Sequence, residues 1–207
     1  MQNLPVARLA VLGFVTAMTS FALFDDWFYN LVLVSDPEAR EVWETITDLG
    51  DSGWMLTNSL AIWALALGIS RFAANRERWQ MVSRSALFIF AGVAIPGIIA
   101  MTFKGLIGRA RPYLHETEGP RGFDPFAFEP VYSSFPSGHT TTAFAMATVV
   151  TFVFPKAGFV AFPLAILAGF SRSVLGAHYL ADVIMGATLG TLGAIMIYRW
   201  LAPKLKL

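Results

Sequence analysis

The sequence predicts an all-α polytopic membrane protein, a six-transmembrane-helix bundle with short periplasmic surface helices. Hydrophobic residues make up 56% of its 207 positions and charged residues only 14%. The apolar residues are gathered in six long runs, and a helix satisfies its own backbone hydrogen bonds in lipid. The length suits one domain, residues 1–207.

The six predicted spans have approximate limits that follow from where the apolar runs begin and end. They cover about residues 6–24, 54–72, 82–103, 139–154, 158–170 and 181–200. The fourth and fifth are shorter than the roughly 20 residues that a bilayer core requires, so we expect them to use flanking residues. The first run is long and ends in bulky side chains, which favours a retained span over a cleaved signal peptide. In the last run, Gly186 and Gly190 permit close helix packing inside the bundle.

A surface helix is predicted over residues 36–50, between the first two spans. Asp36 is a good N-cap, Pro37 suits the first helical position, and Gly50 suits the end. The helix is amphipathic but acidic, which is unusual on anionic lipid, so we expect it to pack over the mouth of the bundle. Asp25 and Asp26, which precede Asp36 by eleven and ten residues, would either cap a surface helix or face the substrate, and capping is the preferred interpretation.

The distribution of charge predicts the orientation of the bundle. If the N-terminus lies inside, the cytoplasmic segments hold nine cations and one acid, Glu77, whereas the opposite side holds thirteen acids and six cations. The positive-inside rule therefore predicts that both termini are cytoplasmic. The segments 104–138 and 172–182 then share the outer face.

The segment 171–182 is a polar island between two predicted spans. His178 and Asp182 are four residues apart, so they share one face if they lie on a helix. A carboxylate behind an imidazole fixes its tautomer and stabilises its charged form, which suits a nucleophile or a base. Arg172 adds a permanent cation whose planar donors suit phosphate.

Two other segments supply matching groups on the same face. Lys104 and Arg111 are seven residues apart, two helical turns, and share a face if the third span continues that far. Ser137, Gly138 and His139 form a turn that leads into the fourth span, where the backbone N–H groups at a helix start suit an anion.

Together these groups predict a site for a tetrahedral oxyanion, without a candidate metal cluster or cofactor. Phosphoryl transfer depends mainly on positioning and charge stabilisation, which lysine and arginine can supply. His178, backed by Asp182, would attack phosphorus, and His139 would protonate the leaving oxygen and then activate water. The chain has no cysteine, and no basic patch points to a nucleic-acid partner.

These three segments resemble the three-part motif of the type-2 phosphatidic acid phosphatase superfamily. Six residues separate Lys104 from Arg111, five separate Arg172 from His178, and three separate His178 from Asp182. The resemblance implies metal-independent dephosphorylation through a phosphohistidine at His178. It also implies acid–base work by His139. The residues that it implies bind phosphate are Lys104, Arg111, Ser137, Gly138 and Arg172.

The remaining polar residues near these segments receive structural interpretations. Arg109 lies two residues from Arg111, so it would point elsewhere on a helix, and we expect it to anchor the span at the interface. His115 lies in an acidic loop and is expected to be solvated. Ser134 and the run Thr140–Thr142 are expected to satisfy helix starts.

Several functions remain open at this level. The first is a phosphatase of a phosphorylated membrane lipid in a bacterial inner membrane, with its site facing the periplasm or outer leaflet. Envelope lipids (undecaprenyl diphosphate or lipid A phosphate) rank above phosphatidylglycerol phosphate and phosphatidic acid, on the predicted topology. The alternatives are a vanadate-dependent haloperoxidase, which shares such a site, and a non-catalytic anion-binding bundle or transporter. The oligomeric state is not predicted.

Overall fold

The computed structural model describes residues 5–207, and nine α-helices account for most of them. Short 3₁₀ turns cover Asp48–Gly50, Pro112–Leu114, Gly119–Arg121, Pro130–Tyr132 and Pro155–Ala157. The helices are α1 Val6–Leu23, α2 Asp25–Val32, α3 Pro37–Thr47, α4 Ser52–Ile69, α5 Arg76–Ile107, α6 His115–Glu118, α7 Gly138–Val153, α8 Gly158–Val174 and α9 Leu180–Leu205.

Five helical stretches of residues 5–207 are long and apolar enough to cross a membrane, and the chain is a membrane protein. They are Val6–Leu23, Pro37–Ile69, Arg76–Ile107, Pro155–Val174 and Leu180–Leu205. The predicted fourth span corresponds to α7, whose 16 residues extend about 24 Å at 1.5 Å per residue. That is shorter than a typical hydrocarbon core of about 30 Å, so the sixth span stays a prediction.

Helix α7 is the centre of the bundle and packs against α5, α8 and α9, while α1 packs on α9 and α4 packs on α5. The small residues of α9 permit this packing. A Cβ atom on Gly186 would lie 2.6 Å from the carbonyl oxygen of Ser137, and one on Gly190 would overlap the carbonyl of Thr141. The predicted close approach of these glycines inside the bundle is confirmed, and it sets α9 directly against the start of α7.

Helix α3 begins where the sequence predicted a surface helix to begin. The Asp36 carboxylate accepts a hydrogen bond from the N–H of Ala39 at 2.8 Å, and Gly50 closes the 3₁₀ turn that follows α3. Helix α3 packs against α8, with the rings of Trp43 and Phe170 5.5 Å apart. One end of the acidic helix therefore lies at the end of α8 that carries Arg172.

Candidate active site

The structure brings the three predicted segments together at one end of the bundle. Lys104 lies on the last turn of α5, with its Cε atom 3.5 Å from the position that a Cβ on Gly138 would occupy. Its ammonium group donates to the carbonyl of Ser133 at 2.7 Å. The N–H of Ser137 donates to the carbonyl of Asp182 at 3.0 Å, which ties the start of α7 to the start of α9.

Three cations converge around this point. Lys104 interacts electrostatically with both Arg111 and Arg172, which repel it as like charges. Arg111 donates through Nε to the carbonyl of Pro130 at 2.9 Å, and Arg172 donates through Nη1 to the hydroxyl of Thr47 at 2.8 Å. The Nε of Arg172 is buried and has no hydrogen-bond partner among residues 5–207. Such a concentration of positive charge requires a counter-anion, and a phosphate oxygen fits the donors.

The third span does not continue to Arg111, so Lys104 and Arg111 do not share the face of one helix. Helix α5 ends at Ile107 because Gly108 adopts a left-handed conformation with φ of 61°, and its N–H closes the helix on the carbonyl of Lys104. A side chain at position 108 would also overlap the carbonyl of Asp124. Arg111 instead reaches the site from an extended segment, with its own N–H bonded to the carbonyl of Val131.

His178 and Asp182 are neighbours, but not for the reason that their spacing suggested. Helix α9 begins at Leu180, so His178 precedes it, while Asp182 lies in the first turn and accepts the N–H of Tyr179 at 2.9 Å. The Nδ1 atom of His178 lies 3.6 Å from Oδ2 of Asp182. This is just beyond hydrogen-bond range, and contacts of this kind commonly shorten when substrate binds.

Ser134 belongs to this site, and its expected role at a helix start is wrong. Its hydroxyl donates to Oδ2 of Asp182 at 2.6 Å, and its oxygen lies 3.5 Å from Nδ1 of His178. Both acceptors therefore face Nδ1 of the imidazole, which favours the tautomer with the proton on Nδ1 and a lone pair on Nε2. No sequence pattern distinguishes Ser134 from Ser133, so this contact required the structure.

The surroundings of His178 keep its imidazole neutral. The side chain is buried, and burial lowers the pKa of His178 well below its ordinary value of about 6.5. The contact with Asp182 opposes this effect, whereas Lys104 and Arg111 reinforce it. A neutral imidazole near pH 7 has the lone pair that a nucleophile needs.

His139 lies in the first turn of α7, directly after the N-terminal residue Gly138. The predicted turn leads into α7 with Ser137 as its N-cap, and the Ser137 hydroxyl accepts the N–H of Thr140 at 3.5 Å and the Thr140 hydroxyl at 2.9 Å. His139, Gly138 and Lys104 line one part of a cavity of about 440 Å³ between α4, α5 and α7. Apolar side chains line much of the remainder, including Leu56, Phe90, Val93, Ile98 and Met101.

The structure contradicts the expected roles of Arg109 and Asp25. Arg109 is not an interface anchor, because it is 1% exposed and forms ion pairs with both Asp25 and Asp182. Asp25 begins α2 but makes no side-chain cap there, and instead accepts the N–H of Ala181 at 2.8 Å. On a continuous helix the Arg109 side chain would point away from the site. Because the chain turns at Gly108, the side chain points toward the site instead.

The expectation that His115 is a solvated loop residue is also wrong. Its ring lies 4.5 Å from that of Tyr29, centroid to centroid, and its Nε2 atom is 2.9 Å from a carboxylate oxygen of Asp26. Nδ1 lies 3.1 Å from the hydroxyl of Tyr179. His115 thus packs the loop 112–121 against α2.

Within residues 5–207, no group of three or more His, Cys, Asp or Glu side chains is arranged to hold a metal ion.

Replacing Thr47 with valine is expected to weaken substrate binding about fivefold, with a smaller effect on kcat. The substitution keeps the shape but removes the hydroxyl that accepts from the Arg172 guanidinium. A hydrogen bond to a charged group is worth about 1.5–3 kcal/mol, and we expect roughly 1 kcal/mol of this to be lost from substrate binding because Arg172 itself remains. Steady-state KM measures the effect. Thr45→Val is the matched control, since the Thr45 hydroxyl bonds only the carbonyl of Glu41 on the exposed face. Equal KM values for the two variants would contradict a role of Thr47 in orienting Arg172.

Comparison with known proteins places this geometry in a family. Residues 85–206, more than half the chain, match the profile of the PAP2 superfamily. A Rhizobium etli lipid A 1-phosphatase is 32% identical over 73% of the chain, and that match spans 66% of the relative, just under two thirds. The Bacillus subtilis phosphatidylglycerophosphatase B is 28% identical over 78% of the chain and 74% of its own length.

A solved structure shares the fold. The crystal structure of a transmembrane PAP2-type phosphatidylglycerolphosphate phosphatase from Bacillus subtilis superposes with a TM-score of 0.68 and 23% identity, over 94% of each chain. The profile match covers Lys104, Arg111, Ser137–His139 and the segment 171–182, which are the residues that the structure gathers at one end of the bundle. The chain therefore belongs to the PAP2 superfamily.

Proposed function

We propose that this protein is a metal-independent phosphatase that removes a phosphate from a membrane lipid phosphate or diphosphate at the outer leaflet. One observation carries the proposal. A buried imidazole with a free Nε2 stands among three converging cations, beside an apolar cavity that begins at Lys104 and His139. The cations suit the phosphate and the cavity suits a hydrocarbon chain.

The proposal includes six membrane-crossing helices, with α7 as the fourth. Its 16 residues are few, but its neighbours α5, α8 and α9 surround it, so little of α7 faces lipid. A short central helix sets the site below the level of the surrounding bilayer surface. Both termini are cytoplasmic in this arrangement, as the bias of lysine and arginine predicts, and the site opens to the periplasmic side.

The lipid enters beside α4 and α5. The cavity wall near the phosphate site carries Lys104, Gly138 and His139, while Phe90, Ile98 and Met101 lie farther along it. An acyl or prenyl chain against these side chains leaves the headgroup at the cationic end. Neither a soluble haloperoxidase nor a carrier of small anions requires an apolar cavity next to its anion site.

In the first step, Nε2 of His178 attacks phosphorus. The Nε2–P bond forms as the bond from phosphorus to the lipid oxygen breaks. His139 donates a proton to that oxygen; it carries this proton once the bound phosphate dianion offsets the charges of Lys104, Arg111 and Arg172. Asp182 stabilises the positive charge that develops on the imidazole. Lys104, Arg111 and Arg172, with the backbone N–H groups at the start of α7, stabilise the charge on the equatorial oxygens.

In the second step, water releases the phosphate. His139, now neutral, removes a proton from water as the water oxygen attacks phosphorus, and the P–Nε2 bond breaks. The products are inorganic phosphate and the original imidazole. His139 thus acts as the acid in the first step and as the base in the second. Both roles require it to lie on the side of phosphorus opposite His178.

Among substrates we rank envelope lipids first, meaning lipid A phosphate or undecaprenyl diphosphate. The predicted outward-facing site favours them, and the similarity to a lipid A 1-phosphatase supports the same class. Phosphatidylglycerol phosphate and phosphatidic acid follow, since the chain also resembles phosphatidylglycerophosphatase B.

The test is phosphate release by purified protein from a side-by-side panel of these lipids, in the presence of a chelator. We expect turnover of at least one lipid, and this turnover should persist in the presence of the chelator. The His115→Ala protein, a histidine control outside the site, should release phosphate at a rate within about threefold of wild type. Release of no phosphate from any lipid would contradict the proposal and favour an anion-binding or transport bundle. Halide oxidation with vanadate and peroxide, without phosphate release, would favour the haloperoxidase alternative.

A further inference from the structure

Arg109 is the centre of a buried ion network that the proposed reaction does not use directly. Its Nη1 donates to Oδ1 of Asp182 at 2.6 Å, and its Nη2 donates to Oδ2 of Asp25 at 2.7 Å and to the carbonyl of Pro120 at 2.8 Å. The guanidinium also lies over the ring of Tyr179 at 4.4 Å. Burying a cation to this degree is strongly unfavourable unless it is paired, and here it has two carboxylates.

Asp25 ties this network to the start of helix α9. Its Oδ1 accepts from the N–H of Ala181 at 2.8 Å and from the hydroxyl of Ser20 at 3.0 Å, and its Oδ2 accepts from Arg109. Ala181 lies one residue before Asp182, in the first turn of α9. Asp25 therefore fixes both the cation that holds the Asp182 carboxylate and the backbone that carries it.

The two oxygens of Asp182 have separate partners. Oδ1 faces Arg109, whereas Oδ2 accepts from Ser134 and from the N–H of Tyr179 and faces Nδ1 of His178. The ion pair with Arg109 thus sets the rotation of the carboxylate. It also places one cation between two buried carboxylates, so that both negative charges are paired. A protonated Asp182 could not stabilise an imidazolium.

We propose that Arg109 and Asp25 are positioning residues, which act through Asp182 to hold its carboxylate ionised and turned toward His178. The inference rests on the proposed function for its chemical meaning. Arg109 makes no contact with the phosphate in this account, because its two terminal nitrogens donate to Asp25, Asp182 and Pro120, and its Nε is buried.

A double-mutant cycle between Arg109 and Asp182 tests this inference. We expect Arg109→Lys to lower kcat about 10- to 100-fold, with KM within about threefold, and Asp182→Asn to lower kcat further. Because Arg109 acts through Asp182, adding Arg109→Lys to the Asp182→Asn protein should cause no additional loss of kcat. Losses that multiply, or an Arg109→Lys protein within threefold of wild type, would overturn the proposal.

Two further variants separate positioning from folding. Arg121→Lys is the matched control, since Arg121 lies in the same loop but donates only to the carbonyl of Ala22 at 3.2 Å, and it should retain wild-type kcat. Asp25→Asn preserves the side-chain volume, and it replaces Arg109→Lys in the cycle if Arg109→Lys does not yield a monodisperse protein. It should lower kcat in the wild-type background and not in the Asp182→Asn background. An equal loss in both backgrounds would show a general structural effect and refute the coupling.

Binding of orthovanadate gives a readout that does not need turnover. Vanadate bonded to Nε2 of His178 places on the imidazole the charge that Asp182 stabilises, so its dissociation constant should rise in Arg109→Lys by about tenfold. The rise should vanish in the Asp182→Asn background. The shift in melting temperature with vanadate concentration gives this dissociation constant for wild type, the two single variants and the double variant. If wild type releases no phosphate from any lipid, the proposed function fails, while this cycle still supports or refutes the positioning role.

Discussion

Replacing His178 with alanine is expected to lower kcat for lipid dephosphorylation by at least about 10⁴-fold. The substitution removes the atom that we propose bonds phosphorus, and losses of this size follow the removal of a nucleophile from a preassembled site. The KM should change much less, because the proposed phosphate ligands Lys104, Arg111 and Arg172 are retained. Initial rates of phosphate release, at lipid concentrations above and below KM, separate the two quantities.

The His178 variant needs a test that its fold is intact. His178 is buried, and its main-chain N–H donates to the carbonyl of Arg172, a bond that alanine retains. The alanine protein should therefore elute as wild type does in size-exclusion chromatography. A well-folded His178→Ala protein with more than about 1% of wild-type kcat would remove His178 from the role of nucleophile.

Replacing His139 with alanine is expected to lower kcat on lipids by about 10²- to 10⁴-fold, the usual contribution of a general acid–base group. The two steps should respond differently to the leaving group. The aryl oxide of an aryl phosphate leaves without needing a proton, so the first step should remain fast on that substrate while the attack of water stays slow. Rapid-mixing measurements on the variant should then show a burst of the aryl alcohol equal to the enzyme concentration.

This burst distinguishes the two histidines. A His178→Ala protein should give no burst with the aryl phosphate, since it cannot form the covalent intermediate. If His139→Ala gives linear product release without a burst, and is slowed equally on aryl and lipid phosphates, then His139 is not the acid that protonates the leaving group. In that case its place beside Lys104 and Gly138 would reflect binding of the phosphate.

Much of the fold and the composition of the site were predictable because they depend on local patterns. Hydrophobic runs located the long helices to within a few residues at most ends, although α5 extends beyond its predicted limits of 82–103 to Arg76–Ile107. A helix start requires a cap, and Asp36 and Ser137 mark two such starts in the sequence. The distribution of charge alone predicted that the three polar segments share one face of the bundle.

The ion network around Asp182, next to His178, was not predictable from such patterns. Asp25 and Arg109 are 84 residues apart in sequence, and no periodicity connects them. The interval of seven between Lys104 and Arg111 suggested a continuous helix, but the left-handed conformation of Gly108 breaks that helix and turns Arg109 inward. The role of a side chain next to a break in a helix depends on the direction of the turn, which composition does not determine.

The most direct test of the account is to locate the covalent phosphate. His139→Ala protein, quenched after brief incubation with a ³²P-labelled aryl phosphate, should carry an acid-labile, base-stable label. Peptide mapping by mass spectrometry under alkaline conditions should place that phosphate on His178, with none on the same peptide from the His178→Ala, His139→Ala double variant. A phosphate mapped to any other residue, or a labelled double variant, would contradict the assignment of His178 as the nucleophile.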